Sequence, residues 1–192
     1  MPANTPIKVC SRALILIGSE GIDSFEDGTA ESDVAAAMYE DIARTSLTNT
    51  RWRFATKQEI LNRLTAEPQG RWGAAYQLPG DFLMLNAITV GDNPIRYDIY
   101  NNRVFCDESP NAEVLADYIF RANESDWPAY FLIAVEYAMA AVFATSIARD
   151  QTMAQMMEQK AQFHMMQARR LDSQQQTTRR LQTSRFIAQR RT

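Results

Sequence analysis

Along the first fifty positions, apolar residues recur at helical spacing. Residues 7–18 (IKVCSRALILIG) predict one helix, with Gly18 at its C-terminal cap. Residues 19–28 (SEGIDSFEDG) mix Gly, Ser and acids and predict a loop. Thr29 or Ser32 is placed to cap a second helix reaching about Asn49. Its Val34, Met38 and Ile42 fall four apart on one face, and Ala35, Ala36 and Ala37 let another helix come close.

The period changes at Arg51. Residues 82–90 (FLMLNAITV) read as a strand, Gly91-Asp92-Asn93-Pro94 as a turn, and residues 95–100 (IRYDIY) as an alternating strand. Asn101-Asn102 suits a two-residue hairpin turn, because Asn tolerates positive φ. Residues 103–106 would return, and residues 113–121 (EVLADYIFR) would form a last strand. One small antiparallel sheet between helices is the expectation.

Ser125-Asp126-Trp127-Pro128 predicts a helix start, with Ser or Asp as cap and Pro in the first turn. The helix from Trp127 to about Arg149 is apolar on nearly every side. A further helix is expected after Asp150, running to Leu171 and carrying Met153, Met156, Met157, Phe163, Met165 and Met166. Such a Met stripe predicts core or subunit contact. The fold class is therefore α+β, mainly α: a helical bundle (1–50 and 125–171) with an inserted β lobe (51–124) and an extended C-terminal arm (172–192).

Residues 129–148 are about the length of a membrane span. Glu136 in their middle would be costly in lipid, and a helix buried in a bundle is expected instead, with no membrane. The N-terminal residues lack the basic start and apolar run of a signal peptide.

Composition refines the picture. The 192 residues are 46% hydrophobic with net charge −3, enough for one domain with an inserted lobe. The charge is uneven: residues 169–192 hold seven Arg and one Asp, leaving −9 for the rest. A basic tail on an acidic body seeks an acidic surface or a phosphate backbone. Cys10 and Cys106 lack CxxC spacing and read as two buried thiols.

Catalytic patterns are scarce. His164 stands alone between Phe163 and Met165, where a metal site needs several ligands. There is no GxSxG elbow, Walker A or GxGxxG loop. Glu20, Asp23, Glu26 and Asp27 could supply a carboxylate pair for hydrolysis, but acids in a Gly- and Ser-rich loop are usually solvated. Trp52, Trp72 and Trp127 are expected to pack. Arg51, Arg53, Lys57, Arg63 and Arg71 interleave with Trp52, Phe54 and Trp72 as in single-strand binders, diluted by Glu59 and Glu67. No enzyme activity, metal or cofactor is expected.

The arm is the most unusual segment. Arg179, Arg180, Arg185, Arg190 and Arg191 are separated by Leu181, Phe186 and Ile187. Apolar anchors between arginines suit a protein groove better than a purely electrostatic DNA tail.

The order of segments resembles the head-to-tail adaptor (connector) family of tailed bacteriophages, which includes podophage tail tubular protein A and gene-transfer-agent adaptors. The resemblance rests on Ile17-Gly18, the acidic loop Glu20 to Gly28, Trp52 to Ala55 (WRFA), and Tyr76 to Asp81 (YQLPGD), and spans about Val9 to Leu171. It implies a virion protein of the tail or neck, present in host cytoplasm during assembly. It further implies a ring, commonly a dodecamer, lined by the helical bundle. The portal protein would be held by the C-terminal segment. The next tail component, a nozzle or stopper, would face the sheet lobe, and DNA would pass through the lumen without sequence specificity. Two other readings stay open: a nucleic-acid-binding helical protein using the Arg-rich tail, and a virion-associated cell-wall hydrolase.

Overall fold

Why the first helix begins at Pro6 is visible in its cap. In the computed structural model, which describes residues 4–66, 68 and 70–175, the Thr5 hydroxyl accepts the Lys8 N–H and proline occupies the first turn. Helix α1 (Pro6–Leu16) buries Val9, Cys10, Ala13 and Leu14, one stripe at helical spacing. Gly18 ends it at φ +82°, letting Ser19 N–H reach the Leu14 carbonyl. Gly21 is held by a close approach, since a Cβ there would lie 2.1 Å from Ser11 Oγ.

Helix α2 (Ala30–Thr48) starts with a reciprocal capping box: Ser32 N–H donates to Thr29 Oγ1, and Thr29 N–H donates to Ser32 Oγ. Its buried Ala35, Tyr39, Ala43 and Leu47 recur every four residues. The face that carries Val34, Met38 and Ile42 lies beside this stripe and stays partly open.

Helix α3 (Ala129–Ser146) is apolar all round and packs against α1, α2 and α4 (Gln151–Gln174). It is long and apolar enough to cross a membrane by length and composition; here eight of its residues, Phe131 and Phe143 among them, are buried. Glu136 meets Arg12 of α1 at 3.0 Å. Asp150 caps α4 by accepting from Thr152 and Met153 N–H. The expected cap at Ser125 or Asp126 is not the one used. Residues Glu124–Asp126 form a separate 3₁₀ turn, and Pro128 itself is the N-cap, accepting from Phe131 and Leu132 through its carbonyl.

The lobe holds two small sheets where one was expected. The first is β1 (Thr56–Ile60), β8 (Leu115–Phe120), β4 (Phe82–Val90) and β5 (Asn93–Pro94), in that spatial order. The second is β2 (Asn62–Arg63), β3 (Ala74–Gln77), β7 (Arg103–Cys106) and β6 (Asp98–Tyr100). All pairings are antiparallel. The chain passes from one sheet to the other at buried Leu61, whose N–H donates to the Val114 carbonyl. In the predicted strand 95–100, pairing with β7 begins at Asp98, while Ile95 N–H donates to the Ile88 carbonyl of β4 at 3.1 Å. The turn expected over residues 91–94 tightens to Gly91-Asp92, both at positive φ, so Asn93 and Pro94 pair back on Val90 and Thr89.

Strand β8 joins the two halves. Ala116 and Tyr118 face the lobe core with Leu61, Tyr76 and Val104, while Ile119 turns to the bundle core. That alternation is the period of two expected of a strand buried on both faces. On the bundle side, Phe131 receives Trp52 and Trp127 edge-on, each with ring centroids at 5.0 Å. Such pairs add about 1 kcal/mol each beyond burial.

Candidate interaction surface

Beside the buried apolar contact at Ile119, the joint between bundle and lobe carries a charged cluster. Arg121, just past β8, donates to Glu40 of α2 through Nε (3.1 Å) and Nη2 (2.9 Å), and through Nη2 to Glu124 at 2.6 Å. Tyr39 donates its hydroxyl to the same Glu124 oxygen at 2.8 Å. Burial and then Glu124 push the Tyr39 phenol well above its ordinary range, keeping it a donor. Hydrogen bonding to Arg121 holds the Glu40 carboxyl below the usual value.

A second polar cluster lies where the lobe begins. Asp117 is buried and accepts from Arg51, from Gln58 at 3.0 Å and from Asn86 at 2.9 Å. Asp172, also buried, accepts the Arg53 N–H at 3.1 Å and the Tyr130 hydroxyl at 3.0 Å, tying the end of α4 to the start of the lobe. A cleft of about 690 Å³ opens here, lined by Arg51, Arg53, Lys57 and Arg169 as well as these two acids.

One large surface feature is apolar. Helices α2 and α4 flank α3 and leave a groove of about 1140 Å³ between them. Its floor is small: Ala134, Ala138 and Ala141 of α3 fall on one face. Its walls are larger, with Met38 and Ile42 on one side and Met165 and Met166 on the other. Met38 and Met166 are 39% and 61% exposed, so among the described residues these walls lack cover. Asp33 and Glu158 sit at the rim.

Several expectations meet the structure here. The arm residues Arg179, Arg180, Leu181, Arg185, Phe186, Ile187, Arg190 and Arg191 lie outside the described residues. Of the Met stripe, only Met157 is buried; Met156 and Met166 are exposed and Met153 and Met165 half-buried. His164 stacks on Tyr137 with ring centroids 4.9 Å apart and 2° between planes. Cys10 and Cys106 are buried free thiols, and burial pushes Cys10 up to about 12. In the acidic loop, Asp27 accepts the N–H groups of Asp23 and Ser24, a turn-forming role. Among the described residues, no three His, Cys, Asp or Glu side chains converge as metal ligands.

Trp52 and Trp127 are buried, so base stacking on Trp52 is closed. Trp72 is half-buried and donates to Asp98 at 3.1 Å, with Arg71 stacked on its ring. The groove itself was missed by sequence reasoning. Its signal was present in Ala134, Ala138, Ala141 and Thr145, whose spacing of three or four marks a face too small to fill a core. No protein-family model matches the chain, and no curated protein does.

Proposed function

We propose that this protein is a structural head-to-tail adaptor of a tailed phage or phage-like particle. It would form a ring between the portal and the next tail component and give DNA a conduit. The observation that carries this reading is the open apolar groove between α2, α3 and α4. Contiguous apolar surface left uncovered on a folded chain marks a protein contact. The order of the Ile-Gly, acidic-loop, Trp-Arg-Phe-Ala and Tyr-Gln-Leu-Pro-Gly-Asp segments supplies the particular class. The acidic body suits a conduit, because like charge keeps passing DNA from sticking.

In this reading the arm, through Leu181, Phe186, Ile187 and its arginines, docks on the portal. Its test is a truncation lacking residues 179–192, mixed with portal rings and examined by electron microscopy. A folded chain that no longer attaches is the expected result; unimpaired attachment refutes the arm's role.

One observation favours a second reading. The cleft with Arg51, Arg53, Lys57 and Arg169 concentrates positive charge on an otherwise acidic body. If nucleic acid is the ligand, binding to a duplex of arbitrary sequence falls steeply with salt. The hydrolase reading has no comparable support, since Asp27 of its loop is spent on backbone N–H groups.

A further inference from the structure

The groove over α3 has a direction. Its two walls meet at one end, where Arg169 of α4 turns its guanidinium onto Asn49, the residue that caps α2. The groove's acids, Asp33 and Glu158, sit toward the opposite end, where α3 stops at Ser146. From Glu158 to Arg169 the α4 wall runs about 16 Å at the helical rise. The guanidinium at the near end is already engaged by Asn49, while both carboxylate residues at the far end are exposed.

We infer that the groove is the seat of this chain's own last residues, 176–192, and holds the arm until another surface competes for it. Position supports this occupant. Helix α4 ends at Gln174, about 8 Å past Arg169, so the chain continues from the groove's near end. Length fits as well. Six residues separate Gln175 from Leu181 and span up to about 20 Å, more than the return to Arg169 needs. Nine more reach Arg190, about 14 Å if helical and about 30 Å if extended, which brackets the groove's length.

Chemistry runs in the same direction. Leu181, Phe186 and Ile187 fall over alanine and methionine, and Arg190 and Arg191 arrive at Asp33 and Glu158. Arg179 and Arg180 fall in the return, before the groove begins. The covalent tether strengthens the contact. It holds the segment at an effective concentration on the order of mM, so a contact too weak to join separate molecules is still made within one.

The seat gives the arm two exclusive states. The adaptor reading assigns Leu181, Phe186 and Ile187 to the portal; in the groove those side chains are covered, and so is the groove. Displacement by a portal uncovers the groove at the moment the arm docks. That order of events rests on the adaptor reading; the seat itself rests on the groove and the tether.

The test uses the full chain with Ser184→Cys carrying a nitroxide; Cys10 and Cys106 are buried, so the label goes to the new thiol. Methyl spectra of Met38, Met165 and Met166 report on the groove, and Met84 of the lobe is the reference. Strong paramagnetic broadening of the three groove methyls, with Met84 sharp, is the expected result. Adding Phe186→Asp and Ile187→Asp is expected to weaken seating roughly tenfold or more and to sharpen those methyls, because seating then buries carboxylates. A mixture of isotope-labelled chain without nitroxide and unlabelled chain with it separates one molecule from two; there the broadening is expected to vanish.

Groove methyls that stay sharp beside the label overturn the inference. So does broadening that persists in the mixture, which puts the arm on a second copy, or broadening indifferent to the two aspartates. Portal rings decide the adaptor reading separately: an arm that stays seated in their presence defeats portal docking and leaves the seat standing.

Discussion

Arg121 and Glu40 are 81 positions apart, yet Nε and Nη2 of one grip both carboxylate oxygens of the other. Glu124 shares the guanidinium, with its side chain only 10% exposed. A charge buried with its partner costs little until the partner is removed. Arg121→Met is therefore expected to destabilise the fold by about 3 kcal/mol in urea unfolding at neutral pH. Glu40 adds a pH signature. Its carboxyl is held low in the folded state, so its contribution is present above the ordinary Glu value and fades as pH falls through the lowered one. The difference between wild type and Arg121→Met should narrow across that acidic window; a constant difference would exclude the pairing as its cause.

Asp172 fastens the last turn of α4 to the lobe by accepting from Arg53 N–H and Tyr130 Oη. Asp172→Ala leaves a part-buried N–H and a hydroxyl without this acceptor and should cost about 1–2 kcal/mol. Tyr130→Phe should cost about 1 kcal/mol, since the Arg53 bond to Asp172 stays while the hydroxyl's bond to Asp172 and its long 3.5 Å contact from Gln175 Nε2 are lost. Hydrogen exchange should speed up in the last turns of α4 and at Arg53 in the Asp172 variant, and leave α1 unchanged.

Glu136 behaves oppositely to Glu40. Burial raises its carboxyl, and the half-exposed Arg12 only partly offsets this. The folded state then holds its proton more tightly than the unfolded one. Stability from this group is greatest at low pH and declines as pH rises from the ordinary Glu value through the raised one. Glu136→Gln should gain ground on the wild type as pH increases over that interval. Parallel stability curves for the two proteins would contradict the burial effect.

Asn101 and Asn102 turn the β6–β7 hairpin at φ +47° and +58°. Asn102→Gly should be neutral or stabilise, and Asn102→Val should cost about 1–2 kcal/mol, because a β-branched side chain is strained at positive φ. Thermal melts of both variants decide this, and a harmless Val would mean that the turn adopts another form.

Much of the architecture was legible before any coordinates. Thr29, Ser32, Asp150 and Gly18 announce helix ends by chemistry confined to a few neighbouring residues, and Asn101-Asn102 announces a turn in the same way. The largely apolar run of α3 marks the bundle's centre, because most faces of such a helix must be covered. Short strands were less legible: β1 and β2 expose most of their side chains, so they carry no alternation to read. The split into two sheets depends on Leu61 turning a corner, which only its distant partner Val114 defines.

Local sequence thus determined which segments become helix and turn, because caps, glycine and asparagine act through bonds within one or two turns of chain. Tertiary structure alone decided the rest. It brought Arg121 to Glu40 and Asp172 to Arg53, and it set α2 and α4 apart over an alanine floor. A groove is a space between elements, and its width follows from how helices pack across the whole chain rather than from the order of residues in any one of them.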